Sequence, residues 1–287
     1  MPGNGEQSRP REAFSLLGHD LRLDILLALL DHWQAARTEP RRYSDLMRAV
    51  GLQDSGKFNY HLGRLRGVYV RKRDDGYVPT AAATALYRAV LAHRPTRGTA
   101  SVELDPGLTC PACGADMAAE HEAGFLSLRC PACDDLEAAF TYPFPENGLE
   151  GRPGAAVVRA AYDRARAEIG LARRGQCPDC GGRTSRTVDL PPTSDGRSVT
   201  IDCGTCTWGV ETGILLPVLS APPVGGALSA VGLSADAFAW KLPTPETAVV
   251  DADPWQAELR IEGPDGTATV TIDGDLHVRT VEHPRNE

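Results

Sequence analysis

The chain has 287 residues and eight cysteines, and all eight belong to Cys-x-x-Cys pairs. Sixteen residues separate the first pair from the second, and twenty-two separate the third from the fourth. This pattern is typical of zinc ribbons, in which two short turns bring four sulfurs to one tetrahedral ion. The predicted ligands are Cys110, Cys113, Cys130 and Cys133 in the first site and Cys177, Cys180, Cys203 and Cys206 in the second.

Four thiolates complete a tetrahedral coordination shell and leave no open position for a reacting water. We therefore expect two structural Zn²⁺ ions. Iron in a rubredoxin-like site uses the same ligands and stays an alternative. Four disulfides would suit a secreted chain, but residues 1–10 are polar and lack the apolar core of a signal peptide. Redox Cys-x-x-Cys pairs usually lie within a βαβ pattern, which does not surround these pairs.

Charge is distributed unevenly along the chain, whose net value is −8. Residues 1–100 carry sixteen Lys and Arg against ten Asp and Glu, a balance of +6, and the remainder has fourteen against twenty-eight, a balance of −14. A basic end on an acidic body favours a phosphate-bearing partner for the N-terminal part. The most apolar run, residues 21–30, is too short for a membrane span and is interrupted by Arg22 and Asp24. These features predict a cytoplasmic protein without membrane contact.

Apolar residues at helical spacing predict four helices in the N-terminal part, over residues 12–17, 21–36, 45–50 and 55–66. Gly51 and Gly67 stand where the third and fourth helices should end, and Asp54 or Ser55 can cap the fourth. Two short helices joined by a tight turn form a helix-turn-helix.

The fourth helix should turn Phe58, Leu62 and Leu65 into the core, because they recur at i, i+4 and i+7. Its other face then carries polar side chains, as a helix that enters the major groove requires. The residues predicted to contact DNA on this helix are Ser55, Lys57, Asn59, Tyr60 and Arg64, of which the last four are expected to read bases.

Residues 68–78 read as two short strands around an Asp-Gly turn. Arg71, Lys72 and Arg73 lie near the tip, where they would contact phosphates or the minor groove. A basic hairpin beside a recognition helix is the wing of a winged helix. Helix-turn-helix units also serve as protein docking modules, and a solvated polar face is the plainer alternative.

Two segments resemble the ArsR-like winged-helix transcriptional regulators. From Phe14 the chain reads Phe-Ser-Leu-Leu-Gly-His-Asp-Leu-Arg-Leu-Asp-Ile-Leu, which is similar to the opening of that family. From Asp54 it reads Asp-Ser-Gly-Lys-Phe-Asn-Tyr-His-Leu-Gly-Arg-Leu, which is similar to its recognition helix. The resemblance covers residues 12–95. It implies a homodimer on a two-fold-related operator, commonly as a repressor, with residues 81–93 and the neighbouring N-terminal helices at the dimer surface.

The whole layout also resembles a group of largely archaeal ArsR-like proteins whose cysteine-rich C-terminal region has no known role. Metal-sensing members of the family carry ligands on the DNA-binding helices. Those helices hold no cysteine here, so metal sensing by that route is not expected.

The acidic body predicts further small elements. Phe140, Tyr142 and Phe144 alternate as a third strand of the first ribbon would, and residues 155–173 form one amphipathic helix that joins the ribbons. Three alternating runs in the tail predict a three-stranded antiparallel meander, with Trp240 and Trp255 over its inner face.

The expected fold class is therefore α+β multidomain. Its predicted parts are a disordered N-terminus (1–10), a winged helix-turn-helix (11–95), a linker (96–106), zinc ribbon 1 (107–148), a connecting helix (149–176), zinc ribbon 2 (177–218) and a C-terminal α+β meander (219–287).

The predicted function is sequence-specific binding of double-stranded DNA by a homodimeric regulator that is not an enzyme. Phosphate-binding loops, nucleophile elbows and zinc-protease motifs are missing from the sequence. Two alternatives stay open: an accessory factor of the transcription machinery, and a sensor that responds to oxidants or to zinc.

Overall fold

The computed structural model describes residues 4–31, 33, 39–95, 101–133, 139–190 and 198–284, with side chains described from residue 10 onward. It divides into an N-terminal unit, Met1–Gly98, and a C-terminal unit, Thr99–Glu287. Both units combine helices with antiparallel sheets, so the mixed α+β class is confirmed. Within the described ranges, none of the helices has the length and apolarity needed to cross a membrane.

The N-terminal unit places four helices before a hairpin and one helix after it. The elements are α1 (Asn4–Leu17), α2 (Asp20–Leu30), α3 (Tyr43–Ala49), α4 (Ser55–Leu65), β1 (Val70–Arg73), β2 (Gly76–Pro79) and α5 (Ala81–His93).

Side-chain caps explain where three of these helices begin. The carboxylate of Asp54 accepts the backbone N–H of Lys57 and starts α4. The Thr80 hydroxyl accepts the N–H of Ala83 at the start of α5. At α2 the cap is His19, whose Nδ1 accepts the N–H of Leu21. Each such bond satisfies a donor that the helix itself cannot pair.

One apolar core holds the unit together. Its fully buried side chains come from α2, α3, α4 and the hairpin, and include Ile25, Leu46, Phe58 and Leu62. Burial of each such side chain contributes about 1.5–3 kcal/mol. The core therefore sets the rotation of α4 about its axis and decides which of its residues face solvent.

The hairpin closes tightly against the segment before α3. Arg41 and Tyr77 exchange two backbone hydrogen bonds of 3.0 and 2.8 Å. A Cβ at Gly76 would lie 2.4 Å from the Arg41 carbonyl oxygen, and Gly76 has a φ of +154°. Only glycine fits there, which explains the Asp-Gly turn.

Two N-terminal boundaries differ from the sequence prediction. Residues 1–10 were predicted to be disordered, but α1 begins at Asn4. Residues 4–10 hold no large apolar side chain, so apolar periodicity could not detect a helix there. The second helix was predicted to reach residue 36 but ends at Leu30, and residues 34–36 lie outside the described residues.

The C-terminal unit contains three antiparallel sheets and one long helix. Its elements are β3 (Val102–Leu104), β4 (Ala118–Glu122), β5 (Phe125–Arg129), β6 (Phe140–Pro143), α6 (Gly154–Arg173), β7 (Thr184–Val188), β8 (Val199–Cys203), β9 (Gly209–Thr212), α7 (Leu215–Val218), α8 (Pro222–Ala230), β10 (Glu246–Ala252), β11 (Trp255–Gly263), β12 (Gly266–Asp273) and β13 (Val278–Glu282). In each sheet the strands follow sequence order, as β3–β6, β7–β9 and β10–β13.

Helix α6 links the sheets by burying successive turns in two different cores. Val157, Val158 and Ala161 pack with the buried residues of the β3–β6 sheet. Ile169 and Ala172, further along the helix, belong to a larger core shared by the β7–β9 sheet, α7, α8 and the β10–β13 sheet. The helix predicted over residues 155–173 is confirmed.

The C-terminal sheet has four strands, where three were predicted. The inward residues of β11 and β12 are completely buried, and those residues are Ala257, Leu259, Ile261, Ala268, Val270 and Ile272. Strand β10 was missed because it lies at the edge and is exposed along most of its length, so its residues show no apolar alternation.

Trp255 packs against the core of this sheet, as predicted, but Trp240 does not. Trp240 lies against α6 and the first ribbon, where its ring stacks on Phe238 at 4.6 Å and approaches Tyr162 and Phe140. The chain after α8 therefore returns to the first ribbon before it forms the last sheet.

The predicted domain boundaries also change in this part. The segment assigned to a linker, 96–106, contains β3, which pairs with β4 from Val102↔His121 to Leu104↔Ala119. Residues 96–100 lie outside the described residues. The two ribbons, the connecting helix and the meander, predicted as separate domains, form one compact unit because α6 and the shared core bury surface from all of them.

Candidate functional site

The structure assembles the eight cysteines into the two predicted tetrads. In each tetrad all four sulfurs lie within 4.8 Å of one another. Sγ–Sγ distances are 3.6 Å for Cys110–Cys133 and 3.5 Å for Cys113–Cys130. A tetrahedral ion with metal–sulfur bonds of about 2.3 Å spaces its sulfurs about 3.8 Å apart. The first tetrad can therefore hold one metal ion.

The second tetrad has the same geometry, with Sγ–Sγ distances of 3.6 Å for Cys177–Cys206 and 3.5 Å for Cys180–Cys203. All eight cysteines are free thiols. Two clusters of four sulfurs that could each hold a metal ion are thus present.

Local backbone turns favour ionisation of one sulfur in each tetrad. Backbone N–H groups of Cys206 and Thr205 point at the Cys203 sulfur from 3.4 and 3.3 Å and lower the pKa of Cys203 to about 6. A hydrogen bond with the backbone of Cys113 is the main cause that lowers the pKa of Cys110 to about 7. A metal binds thiolates, so these N–H groups favour the ligating form.

The tetrads differ in their exposure. Cys110 and Cys130 of the first tetrad are both buried, whereas only Cys177 is buried in the second. Each tetrad also has one exposed cysteine, Cys113 and Cys180 respectively. The second site is therefore the more open to solvent.

Helix α4 exposes every residue that was predicted to contact DNA. Ser55, Lys57, Asn59 and Arg64 are exposed, and Tyr60 has 64% of its surface accessible. Phe58, Leu62 and Leu65 are buried, as predicted. The structure therefore confirms the predicted orientation of the helix.

The hairpin places its three predicted cations in solvent. Arg71, Lys72 and Arg73 of β1 are all exposed, and in β2 Tyr77, Val78 and Pro79 are buried beneath. The hairpin register pairs Lys72 with Tyr77 and Arg73 with Gly76. We call α4 and β1 together the basic helix–hairpin surface.

A cleft of about 460 Å³ separates the end of α4 from the hairpin. Arg66, Arg71 and Lys72 line it together with the backbone around Gly67. Arg66 was not among the residues predicted to contact DNA. Its position two residues after Arg64, immediately before the helix-ending glycine, was the available signal.

Helix α5 presents an apolar surface to solvent. Of its thirteen residues only Ala83 is fully buried. Val90 and Leu91 are 48% and 50% exposed, and Phe14 of α1 is 63% exposed. These three side chains are candidates for contact with a partner.

Comparison with known proteins matches each unit to a family model without an assigned function. Residues 107–278 match the family described as domain of unknown function DUF7351, and this match spans more than half of the chain. The chain therefore belongs to that family. Residues 10–90 match the domain of unknown function DUF7347. No curated protein and no solved structure matches the chain.

Proposed function

We propose that the chain is a sequence-specific, double-stranded DNA-binding regulator of transcription, most simply a repressor. In this proposal the N-terminal unit is a winged helix-turn-helix of the ArsR-like kind, α4 is the recognition helix and the β1–β2 hairpin is the wing. The observation that carries it is the simultaneous exposure of Lys57, Asn59, Tyr60 and Arg64 on one helix beside three exposed cations of one strand.

The chemistry of this surface suits DNA. Long polar side chains on the exposed face of a helix can reach base edges in the major groove. Arg71, Lys72 and Arg73 extend the positive charge along the adjacent strand, where phosphates would lie. The charge balance of the N-terminal unit, +6, supports the same partner.

A homodimer is part of the proposal. Phe14, Val90 and Leu91 are large apolar side chains exposed on α1 and α5, and a second copy of the same surface would cover them. Two recognition helices related by a two-fold axis would then read two half-sites about 34 Å apart.

We assign Zn²⁺ to both tetrads, each in a structural role. Cys110, Cys113, Cys130 and Cys133 would hold one ion, and Cys177, Cys180, Cys203 and Cys206 the other. Four sulfur ligands leave no open position on the metal, which supports a structural role for the ions. A cytoplasmic location, where thiols stay reduced, fits the free cysteines.

Selection of binding sites from random duplexes tests the DNA proposal directly. We expect one preferred motif, and affinity for it should fall steeply as salt concentration rises. Arg64→Ala should cost about 1–3 kcal/mol on the preferred motif and relax its preference at one base. Lys72→Ala should weaken binding to all sequences and reduce the salt slope by about 0.9.

Lys241→Ala serves as the matched control, because Lys241 is an exposed lysine of the C-terminal unit. It should change neither preference nor slope. The absence of any preferred motif, or equal effects of Arg64→Ala and Lys72→Ala on all sequences, would contradict the proposal.

Light scattering tests the dimer separately. Val90→Glu puts a charge into the proposed interface and should halve the measured mass at micromolar concentration. Val249→Glu, at an equally exposed valine of β10, should leave the mass unchanged. A wild-type chain that scatters as a monomer would remove the dimer from the proposal.

A further inference from the structure

A group of nitrogen-bearing side chains meets where the start of α2 approaches α4. His61 of α4 has its ring centroid 4.1 Å from that of His19, the residue that caps α2. Arg22, one turn into α2, and Lys57, one turn before His61 on α4, act electrostatically on the His61 ring. We call these four side chains the His61 cluster.

Among the described residues, two nitrogens of the cluster are buried without a hydrogen-bond partner. They are Nδ1 of His61, a residue only 7% exposed, and Nε of Arg22. The neighbouring guanidinium nitrogen Nη2 of Arg22 has a long contact of 3.4 Å with the Ser15 carbonyl. A buried donor without a partner costs about 1–3 kcal/mol, and a ligand that accepts its hydrogen bond recovers this free energy.

The charges of the cluster have one sign. Burial is the main cause that lowers the pKa of His61, and electrostatic interactions with His19, Arg22 and Lys57 lower it further. Asp20 is at the first position of α2 and is exposed to solvent. An anion seated among the four side chains would offset their mutual repulsion. The N-terminal end of α2, an eleven-residue helix, adds a positive partial charge at the same place.

We propose that the His61 cluster is a binding site for a phosphate group, with His61, His19, Arg22 and Lys57 as its donors. The source of the phosphate is the DNA backbone, a choice that rests on the proposed function. The phosphate oxygens would accept hydrogen bonds from the unpartnered Nε–H of Arg22 and from a proton on Nδ1 of His61.

The location of the cluster on α4 favours the DNA backbone as the source. At 100° per residue, His61 lies about 40° around the helix from Lys57 and about 60° from Arg64, between the buried and the exposed faces. The ring of Tyr60, the exposed residue next to His61 on α4, contacts the His61 ring edge-on, with the ring centroids 5.1 Å apart. A phosphate bound here would flank the groove that α4 enters and would fix the depth and angle of the helix.

Nuclear magnetic resonance of the imidazole nitrogens in the full chain tests the site without DNA. Inorganic phosphate is the probe, with chloride at equal ionic strength as the reference. We expect phosphate to shift the His61 resonances saturably and to raise the pKa of His61. Arg22→Gln should weaken this binding at least fivefold, whereas Arg260→Gln, at an exposed arginine of β11, should not change it.

Salt dependence of duplex binding tests the source of the phosphate. If the DNA backbone occupies the site, Arg22→Gln should lower the slope of log affinity against log salt by about 0.9, with base preference unchanged. His19→Ala, at an exposed residue, provides a second variant if Arg22→Gln fails to fold. Arg260→Gln again serves as the control of equal charge change.

The outcomes separate this site from the proposed function. A phosphate effect on His61 together with a reduced slope supports the site and assigns it to DNA. A phosphate effect in a chain that binds no duplex supports a site for free phosphate and contradicts the proposed function. The site is overturned if the His61 resonances do not respond to phosphate and if Arg22→Gln and Arg260→Gln give the same slope of log affinity against log salt.

Discussion

The two units use charge in opposite ways. In the N-terminal unit the only polar or charged side chain in the described core is that of His61, and the cations of α4 and β1 are exposed. In the C-terminal unit Arg173 and Asp273 are buried within a mostly acidic part of the chain. The cations of α4 and β1 in the N-terminal unit are thus exposed to a partner, whereas some of the charged side chains in the C-terminal unit form internal hydrogen bonds and ion pairs.

The internal contacts of the C-terminal unit show what its buried charges do. Arg173 donates from Nη1 to the Leu276 carbonyl at 2.8 Å and so ties α6 to the last sheet. The Asp273 carboxylate accepts backbone N–H groups of Asp275 and His277, both at 2.9 Å. Burial opposes ionisation of Asp273, but these bonds and the nearby cations outweigh it and hold its pKa below the ordinary value.

The units also differ in what holds them together. The N-terminal unit relies on one apolar core, whereas the C-terminal unit adds two cysteine tetrads to its cores. Small ribbons bury too little apolar surface to be stable alone, so we expect metal bound at the tetrads to supply part of their folding free energy. Four predictions test this comparison.

Removal of the metal should have the largest effect and should act on one unit only. A chelator under reducing conditions should lower the free energy of unfolding of the C-terminal unit by about 10 kcal/mol or more. Hydrogen exchange of the full chain measures it: β5 and β8 should lose protection, and α4 should keep it. Metal analysis should first establish that the chelated chain holds no metal. If β5 then keeps its protection, the tetrads do not stabilise the C-terminal unit through a bound metal.

Truncation of one core side chain should have the second largest effect and should destabilise only the unit that contains it. Leu62→Ala in α4 should destabilise the N-terminal unit by about 2–5 kcal/mol, because Leu62 is 1% exposed. Leu259→Ala in β11 should do the same to the C-terminal unit alone. Asn59→Ala, on the exposed face of α4, should stay within about 0.5 kcal/mol. Loss of β11 protection in Leu62→Ala would show that the units do not unfold independently.

Neutralising Asp273 should have an intermediate effect. Asp273→Asn keeps the size of the side chain but weakens its pairing with Arg279 and the two N–H groups, so the C-terminal unit should lose about 1–3 kcal/mol at pH 7. Denaturant unfolding measures the loss. The exposed carboxylate of Asp251 provides the control, and Asp251→Asn should have a much smaller effect.

A change of pH from 7 to 5 should produce the smallest of the four effects, in the N-terminal unit. The folded state lowers the pKa of His61, so below the unfolded pKa of about 6.5 the unfolded chain binds more protons. The stability that the N-terminal unit gains from a neutral, buried His61 is fully present above a pH of about 6.5 and is lost as pH falls toward the lowered pKa of the folded state.

Exchange protection of α4 at pH 7, 6 and 5, corrected for intrinsic rates, measures this loss. His61→Gln should reduce the pH dependence, and His93→Gln, at an exposed histidine that ends α5, should preserve it. An equal pH dependence in wild type and His61→Gln would exclude His61 as the cause.

Local sequence signals predicted much of the fold. The i, i+4, i+7 spacing of Phe58, Leu62 and Leu65 oriented α4 correctly, and the Asp-Gly turn identified the hairpin. These predictions succeed because a helix face and a tight turn depend on residues that are near in sequence. Edge strand β3 was missed because three residues are too few to establish an alternating pattern, and β10 because its exposed residues do not alternate, so only pairing with a neighbour defines them.

The candidate sites show the same difference between what local sequence predicts and what only packing reveals. Cys-x-x-Cys spacing determined the ligand sets of both tetrads, because two turns of this kind can bring four sulfurs together with little help from the rest of the chain. The His61 cluster was invisible, since His19 and Arg22 reach His61 only when α2 packs on α4.

The amino-acid sequence by itself thus determined most of the elements, the two cysteine sets and the exposed face of α4, because each depends on short-range spacing. Only the tertiary structure decided that the two ribbons and the meander share their cores through α6, that Trp240 lies on the first ribbon, and that two imidazoles meet beside α4. Those features come from the burial of apolar surface between distant segments, and that burial has no local signature in the sequence.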